Sequence, residues 1–267
     1  MMDIGICGLG VVGSALQYYF NIHNIDTHCC DKFKNEGSLE KIDQKCNIVF
    51  ICIPINYNDK TQSFDISQLI YICRQLNEKI IVIKSTVLPQ TTVFLQQYFP
   101  NHQFLFNPEF LTNNYAIEQT LNPERQIVGY TNTSKKIAND ILELLPNSPY
   151  NKIMTSTEAE MVKFFNNTFN STKIIFANEM YNICKQLNID YENVAKAASK
   201  SSFIGTYDHL DVWQDGFRGY SGKCLPKDMK GLINFAHKKG VNLKLHQCTD
   251  NINKTLTLLN KEVINEP

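Results

Sequence analysis

The segment Gly219-Tyr-Ser-Gly-Lys-Cys-Leu-Pro-Lys-Asp228 concentrates groups able to do covalent chemistry. Cys224 follows two glycines and precedes a proline, with Lys223, Lys227 and Asp228 around it. Glycine lets backbone approach a ligand without side-chain obstruction. Neighbouring ammonium groups favour thiolate over thiol, and the thiolate is the nucleophile. Lys163 and Asn167 stand four apart, the spacing that puts two side chains on one face of a helix. An ammonium and a carboxamide so placed suit an alkoxide or oxyanion intermediate. Glu109 follows a proline in Asn107-Pro-Glu-Phe-Leu111, where a carboxylate can act as general base. Each also has an ordinary reading: an incidental surface cysteine, a solvated helix edge, a solvated loop acid. The elements that must position them decide which applies.

The strand-like residues 4–7 run into Gly8-Leu-Gly-Val-Val-Gly13, then a helix-like stretch over 14–19 and a second strand over 27–30 that ends at Asp31. Strand, G-x-G-x-x-G, helix, strand and a following acid is the order of a dinucleotide site. The first glycine makes the tight turn, the second admits the pyrophosphate, and the third lets helix and strand pack. The helix N-terminus faces the phosphates, so Gly8, Gly10, Val11, Val12 and Gly13 are cofactor-binding candidates. Asp31 would accept from both ribose hydroxyls and repel a 2′-phosphate, which predicts NAD over NADP. Further buried-strand runs follow at 48–53, 80–83, 104–106 and 126–129, with helix-like segments at 66–76 and 134–145. Near-continuous apolar strands alternating with helices predict a parallel sheet covered on both faces. Ligands bind such sheets beyond the carboxyl ends of the strands. There lie Ser85 and Thr86, whose hydroxyls suit a cofactor, an ordered water or a helix cap.

Beyond about residue 154 the period becomes helical. Thr157-Glu-Ala-Glu160 reads as a capping box, opening a helix to about 187 that would be about 45 Å long. Met161, Phe164, Phe165, Phe169, Phe176 and Met180 give it a broad apolar surface that requires cover, part of it from a second copy of the chain. Two more helices are expected at 228–239 and 249–263.

The 267 residues, 43% apolar and 19% charged, suit one large or two modest globular domains. A formal net charge of zero with no basic run excludes a nucleic-acid partner. No apolar run is long enough to span a bilayer, and no signal peptide is expected from the opening residues. Nine cysteines without zinc spacing suit a reducing cytoplasm, with no metal.

In order along the chain, Gly8-Leu-Gly-Val-Val-Gly13, Lys84-Ser-Thr-Val87, Asn107-Pro-Glu-Phe-Leu111, Asn122-Pro-Glu-Arg125, Glu160-Met-Val-Lys163 with Asn167, and Gly219 to Asp228 resemble the UDP-glucose/GDP-mannose dehydrogenase family. The resemblance implies an α/β, Rossmann-type doubly wound parallel sheet over 1–154 and an all-helical central, dimerising domain over 155–267. The third, nucleotide-sugar-binding domain of the family is expected to be absent. It implies a four-electron, NAD-dependent oxidation of a nucleotide sugar's C6 alcohol to the carboxylate, as in polysaccharide biosynthesis. Cys224 would carry a thiohemiacetal and then a thioester. Lys163 and Asn167 would steady the oxyanions, and Asp228 with Lys163 would move the first proton. Glu109, with Thr86 holding a water, would assist hydrolysis. Glu109, Phe110, Leu111, Lys163, Asn167, Tyr220 and Gly222 would line the sugar site, and Ser85, Thr86 and Lys227 would meet the cofactor. A homodimer through the long helix, and a separate chain supplying the nucleotide site, are the expected partners.

The chain departs from the family at Pro54-Ile-Asn56, at Thr112-Asn-Asn-Tyr115 and at Ser221, and Arg218 is the one candidate for the arginine that reaches a neighbouring subunit's site. Two other readings stand beside this one. A two-electron β-hydroxyacid-type dehydrogenase also pairs such a sheet with Lys-x-x-x-Asn but does not require the Cys224 segment. A catalytically idle NAD-binding oligomerisation module requires none of Glu109, Lys163, Asn167, Cys224 and Asp228.

Overall fold

The computed structural model describes residues 3–213 and 216–264. Its elements run β1 (Ile4–Cys7), α1 (Val11–Ile22), β2 (Thr27–Cys30), α2 (Leu39–Lys45), β3 (Ile48–Ile51), the short strands β4 (Tyr57–Asn58) and β5 (Ser63–Phe64), and α3 (Ser67–Arg74). They continue with β6 (Ile80–Ile83), α4 (Thr91–Tyr98), β7 (Gln103–Phe106), α5 (Ala116–Leu121), β8 (Gln126–Tyr130), α6 (Ala138–Leu144) and β9 (Asn151–Thr155). The helices α7 (Ser156–Gln186), α8 (Tyr191–Ala198), α9 (Leu225–Lys238) and α10 (Lys244–Ile264) complete them.

The wholly apolar tetrads of β3 and β6 belong in the middle of a sheet, where both faces are covered. They are found there, in the seven-stranded order β2-β1-β3-β6-β7-β8-β9. β2, β1, β3, β6 and β7 are parallel, and the carboxyl ends of β1, β3 and β6 fall in register at Cys7, Ile51 and Ile83. The sheet is not parallel throughout as expected, because β8 runs antiparallel to β7 and β9 parallel to β8. The connection through α5, which packs against α1, does not return to the amino end of β7, so the chain re-enters the sheet from the end where β7 left it, with Asn122-Pro-Glu-Arg125 at that end. Ile4, Ile6, Leu16, Phe20, Phe50, Val82, Leu105 and Val128 fill this unit's core.

Residues divide into two compact units, 1–60 with 64–163 and 61–63 with 164–267. The division falls inside α7, because its first turns belong to the sheet unit: a Cβ at Gly129 would come 2.7 Å from Ala159. The capping box lies two residues earlier than expected. Thr155 donates its amide (2.8 Å) and hydroxyl (2.7 Å) to Glu158, whose amide faces the Thr155 hydroxyl at 3.4 Å. Glu160, placed in that box by its spacing, is instead wholly buried and bonded elsewhere.

In the second unit Ile174 and Ile175 of α7 pack with Tyr220, Met229 and Leu256, while Ala177 and Cys184 pack with Tyr191, Ala195, Leu210 and Val212. Phe164 is buried, whereas Phe165, Phe169 and Phe176 are more than half exposed. Among the described residues no helix is long and apolar enough to cross a membrane, and no cluster of His, Cys, Asp and Glu has the makings of a metal site. None of the nine cysteines is in a disulfide.

Candidate functional site

In the turn after β1, Gly8 has φ +94° and a Cβ at Gly13 would overlap the Gly8 carbonyl oxygen. Only glycine closes this turn against the helix. Gly10 differs, since a Cβ there would meet nothing within 4 Å. The space beside it is open to a ligand. α1 starts at once, with no side-chain cap and no acid in its first turn, so its positive end and unbonded amides are presented to that space. At the end of β2, Asp31 accepts from the Leu9 amide at 2.6 Å on one oxygen and from those of Phe33 and Lys34 at 2.8 and 3.0 Å on the other. Burial pushes its carboxyl up, but these amides outweigh it and hold the group below the usual carboxylate value. An ionised acceptor beside an open glycine turn fits the ribose and pyrophosphate of NAD.

At the neighbouring strand ends the structure gathers a charged cluster. Lys163, on α7 and 6% exposed, donates to the Glu109 carbonyl at 2.6 Å and to its Oε1 at 2.9 Å. The other carboxylate oxygen of Glu109 accepts from the Leu111 amide at 2.7 Å. Burial acts to raise the Glu109 pKa, yet Lys163, the Leu111 amide and Lys84 lower it below its ordinary value. Lys84 donates to Asn107 Oδ1, and Asn107 donates in turn to the Ile127 carbonyl at 2.8 Å. Burial lowers the Lys84 pKa, against the pull of Glu109. The Phe110 ring lies 3.8 Å under the Arg125 guanidinium and 5.6 Å from the Lys163 ammonium. Val12, Lys84, Glu109, Phe110, Leu111 and Arg125 line a cavity of about 290 Å³. Ser85 is buried and donates to the Ile53 carbonyl at 2.7 Å, tying β6 to the end of β3, while Thr86 beside it is half-buried.

Glu160, one turn before Lys163, accepts from the amides of Gln90 (2.7 Å) and Thr92 (2.8 Å) and from the Thr92 hydroxyl (2.6 Å). It caps α4, whose own N-cap residue supplies no side-chain bond.

In the second unit Asn167, one turn beyond Lys163 on α7, donates to Asp228 Oδ2 at 2.6 Å, and Lys227 reaches Asp228 Oδ1 at 2.6 Å. Asp228 is wholly buried in the first turn of α9, and Cys224 is the exposed residue that precedes that helix. Gly222 is exposed at φ +78°. Tyr220, expected to line a sugar site, has its ring in the core, 2% exposed. Arg218 is bonded to Asn178 and Asn182 on α7 of its own chain. That ties down the guanidinium expected to reach a neighbouring subunit.

Residues 30–145 match the model of the UDP-glucose/GDP-mannose dehydrogenase family's NAD binding domain, and 157–255 match its central domain. The chain belongs to this family. The matched NAD binding domain lies within the sheet unit. A family relative, the UDP-glucose 6-dehydrogenase of Rickettsia bellii, is 32% identical over 181 residues, which cover 66% of this chain and 41% of the relative. The UDP-glucose 6-dehydrogenase of Campylobacter jejuni is 29% identical over 271 residues, 87% of this chain and 67% of the relative. The chain thus spans between two-fifths and two-thirds of these relatives. Among solved structures, a UDP-glucose dehydrogenase from the archaeon Pyrobaculum islandicum superposes with TM-score 0.83 at 21% identity, over 98% of this chain and 71% of that one. A UDP-D-ManNAc dehydrogenase from Pyrococcus horikoshii gives 0.81 at 18% identity, over the same shares. Likeness at such identities speaks for the fold.

Lys163, Asn167, Glu109 and Asp228 read from the sequence are each bonded as charged or polar pairs. The sequence reading missed the roles of Lys84, Asn107, Arg125 and Glu160. Lys84, Asn107, Arg125 and Glu160 lie in the quoted motifs, but a role needs a partner, and the partners are far away in the chain.

Proposed function

We propose that the chain takes part in the NAD-dependent oxidation of a nucleotide sugar's C6 alcohol to a carboxylate. The observation that carries this is one helix, α7, with Lys163 bonded to Glu109 and, one turn on, Asn167 bonded to Asp228, four residues after Cys224. Bound NAD supplies a hydride acceptor in each of two rounds, so the four electrons require two equivalents. The open backbone at Gly10 and the Asp31 carboxylate would hold it.

The residues of the chain account for the proton and covalent steps. In the first oxidation the alcohol proton passes to the Asp228 carboxylate as the carbonyl forms, and Lys163, already an ammonium donor, steadies the alkoxide. The Cys224 thiolate then adds to the aldehyde carbon, forming a C–S bond and an oxyanion. Lys163 and Asn167 are donors suited to that charge. The second oxidation leaves a thioester. Glu109, held ionised, takes a proton from water, whose oxygen attacks the thioester carbon. The tetrahedral oxyanion collapses, the C–S bond breaks, and the thiolate and a carboxylate are released. Splitting the oxidation at a thiol is necessary because an aldehyde carbon bears no oxyanion until a nucleophile adds.

The relatives named for UDP-glucose make UDP-glucose the first substrate to test. Purified protein with NAD and UDP-glucose, UDP-ManNAc or GDP-mannose should form about two NADH per sugar by the two-step thioester scheme, and Cys224→Ala at most about one. Carboxylate formed by Cys224→Ala at the parent's rate would count against the reading. The exposed Phe165 and Phe169, stacked at 6.5 Å, support the α7 face as the homodimer contact. The nine thiols support a reducing, cytoplasmic setting.

A further inference from the structure

We propose that Asn253, on α10, is a positioning residue that holds the segment carrying Cys224 in place. Asn253 is 6% exposed, yet its side chain serves no helix bond. Its Oδ1 accepts from the Tyr220 amide at 2.7 Å, and its Nδ2 donates to the Tyr220 carbonyl at 3.0 Å. One carboxamide thus satisfies both backbone polar groups of a single buried residue. The residue before is part of the same device: Gly219 has φ +86°, and a Cβ there would come 2.5 Å from Asn253 Oδ1. A glycine is required for the carboxamide to reach the backbone. The Tyr220 ring is packed against Ile174, Ile175, Met229 and Leu256, and its hydroxyl faces Asp250 on α10 at 3.4 Å.

The other end of the segment is fixed at the wholly buried Asp228, which accepts from Asn167 and Lys227. Between these two anchors Ser221, Gly222, Lys223 and Cys224 are exposed. The place of the thiol at the start of α9 is therefore set by Tyr220 on one side and Asp228 on the other. Releasing Tyr220 leaves the thiol free to move away from the helix end and its lysines. A thiol held at a helix N-terminus and beside ammonium groups is the more reactive one. The inference rests on the proposed role of Cys224 as nucleophile, but the thiol reports on its own placement without turnover.

The test is alkylation of the full chain by iodoacetamide at pH 7, followed by peptide mass spectrometry. Cys248 is the internal control, an exposed thiol on α10 itself. In Asn253→Ala the Cys224 rate should fall about threefold or more while the Cys248 rate holds, and the Tyr220 amide should exchange with deuterium faster. Gly219→Ala, with Asn253 intact, should slow Cys224 in the same way, and the double variant should slow it no further, because both changes break one contact. If Asn253→Ala does not fold, Gly219→Ala carries the test. A Cys224 rate equal to the parent's, in a variant whose Tyr220 amide has lost protection, would overturn the proposal and leave Asn253 a packing residue. A Cys224→Ala protein that still forms carboxylate would instead remove the nucleophile, leaving the alkylation result untouched.

Discussion

Glu160 offers a sharp test of how burial and hydrogen bonding compete in this protein. Its side chain is wholly buried beneath the start of α4 and accepts three bonds, from the Gln90 and Thr92 amides and the Thr92 hydroxyl. Burial nevertheless raises its carboxyl from 4.5 to about 7, with those bonds opposing. No charged group contributes to the shift. Within one turn on α7, Glu158 is bonded to Thr155 and Lys163 to Glu109. The one titratable side chain of α4 is Tyr98, and that of β8 is Tyr130.

A pKa higher in the folded than in the unfolded state means that the native protein binds the extra proton. Its contribution to stability is therefore whole below about pH 4.5, declines as pH rises, and is gone above about 7. At about 1.4 kcal/mol per pKa unit, the loss is about 3 kcal/mol. In Glu160→Gln the group no longer titrates, so the loss should vanish. The assay is guanidinium unfolding of both proteins at pH 5, 6, 7 and 8, comparing the slopes of stability against pH rather than the absolute values. The parent should lose ground on the variant by about 1.4 kcal/mol per unit up to pH 7 and then run level with it. Parallel slopes across this range would refute the reasoning. They would mean that the bonds from the α4 N-terminus keep the buried carboxylate ionised throughout.

Gly10→Ala should leave stability within about 1 kcal/mol of the parent but weaken NAD about tenfold or more, as read by calorimetry, because the new methyl stands where the pyrophosphate approaches. Gly13→Ala should cost about 2 kcal/mol or more, since its Cβ would overlap the Gly8 carbonyl oxygen. Lys163→Met leaves Glu109 ionised beside Lys84 without its closest cation. Denaturant titration should show a loss of about 3 kcal/mol, the low end for breaking a buried pair, and that loss should shrink as pH falls and Glu109 is protonated.

The apolar runs of β1, β3, β6 and β7 were legible because each strand's burial is written in its own residues. The glycine turn was legible for the same reason: backbone conformation and close approach are local demands that only glycine meets at residues 8 and 13. The candidate residues Lys163, Asn167, Glu109, Cys224 and Asp228 were picked out by chemical type and spacing, which a chain carries without its fold.

What the local pattern did not hold was decided by contacts across the chain. α4 opens Thr-Thr-Val-Phe, a run that by propensity suits a strand. It forms a helix whose first amides are satisfied by Glu160, some seventy residues away. The same carboxylate looked like a cap for its own helix until burial showed it capping another, with Thr155 and Glu158 taking the local role. The reversed direction of β8 is not written in the residues of the strand itself. Asn253 stands among polar helix residues with nothing in its neighbours to single it out. Its role exists because α10 brings a carboxamide against the two backbone polar groups of Tyr220. Sequence sets which groups are available and which backbone turns are allowed. Partner, burial and charge state are set by whichever distant segment packs against them.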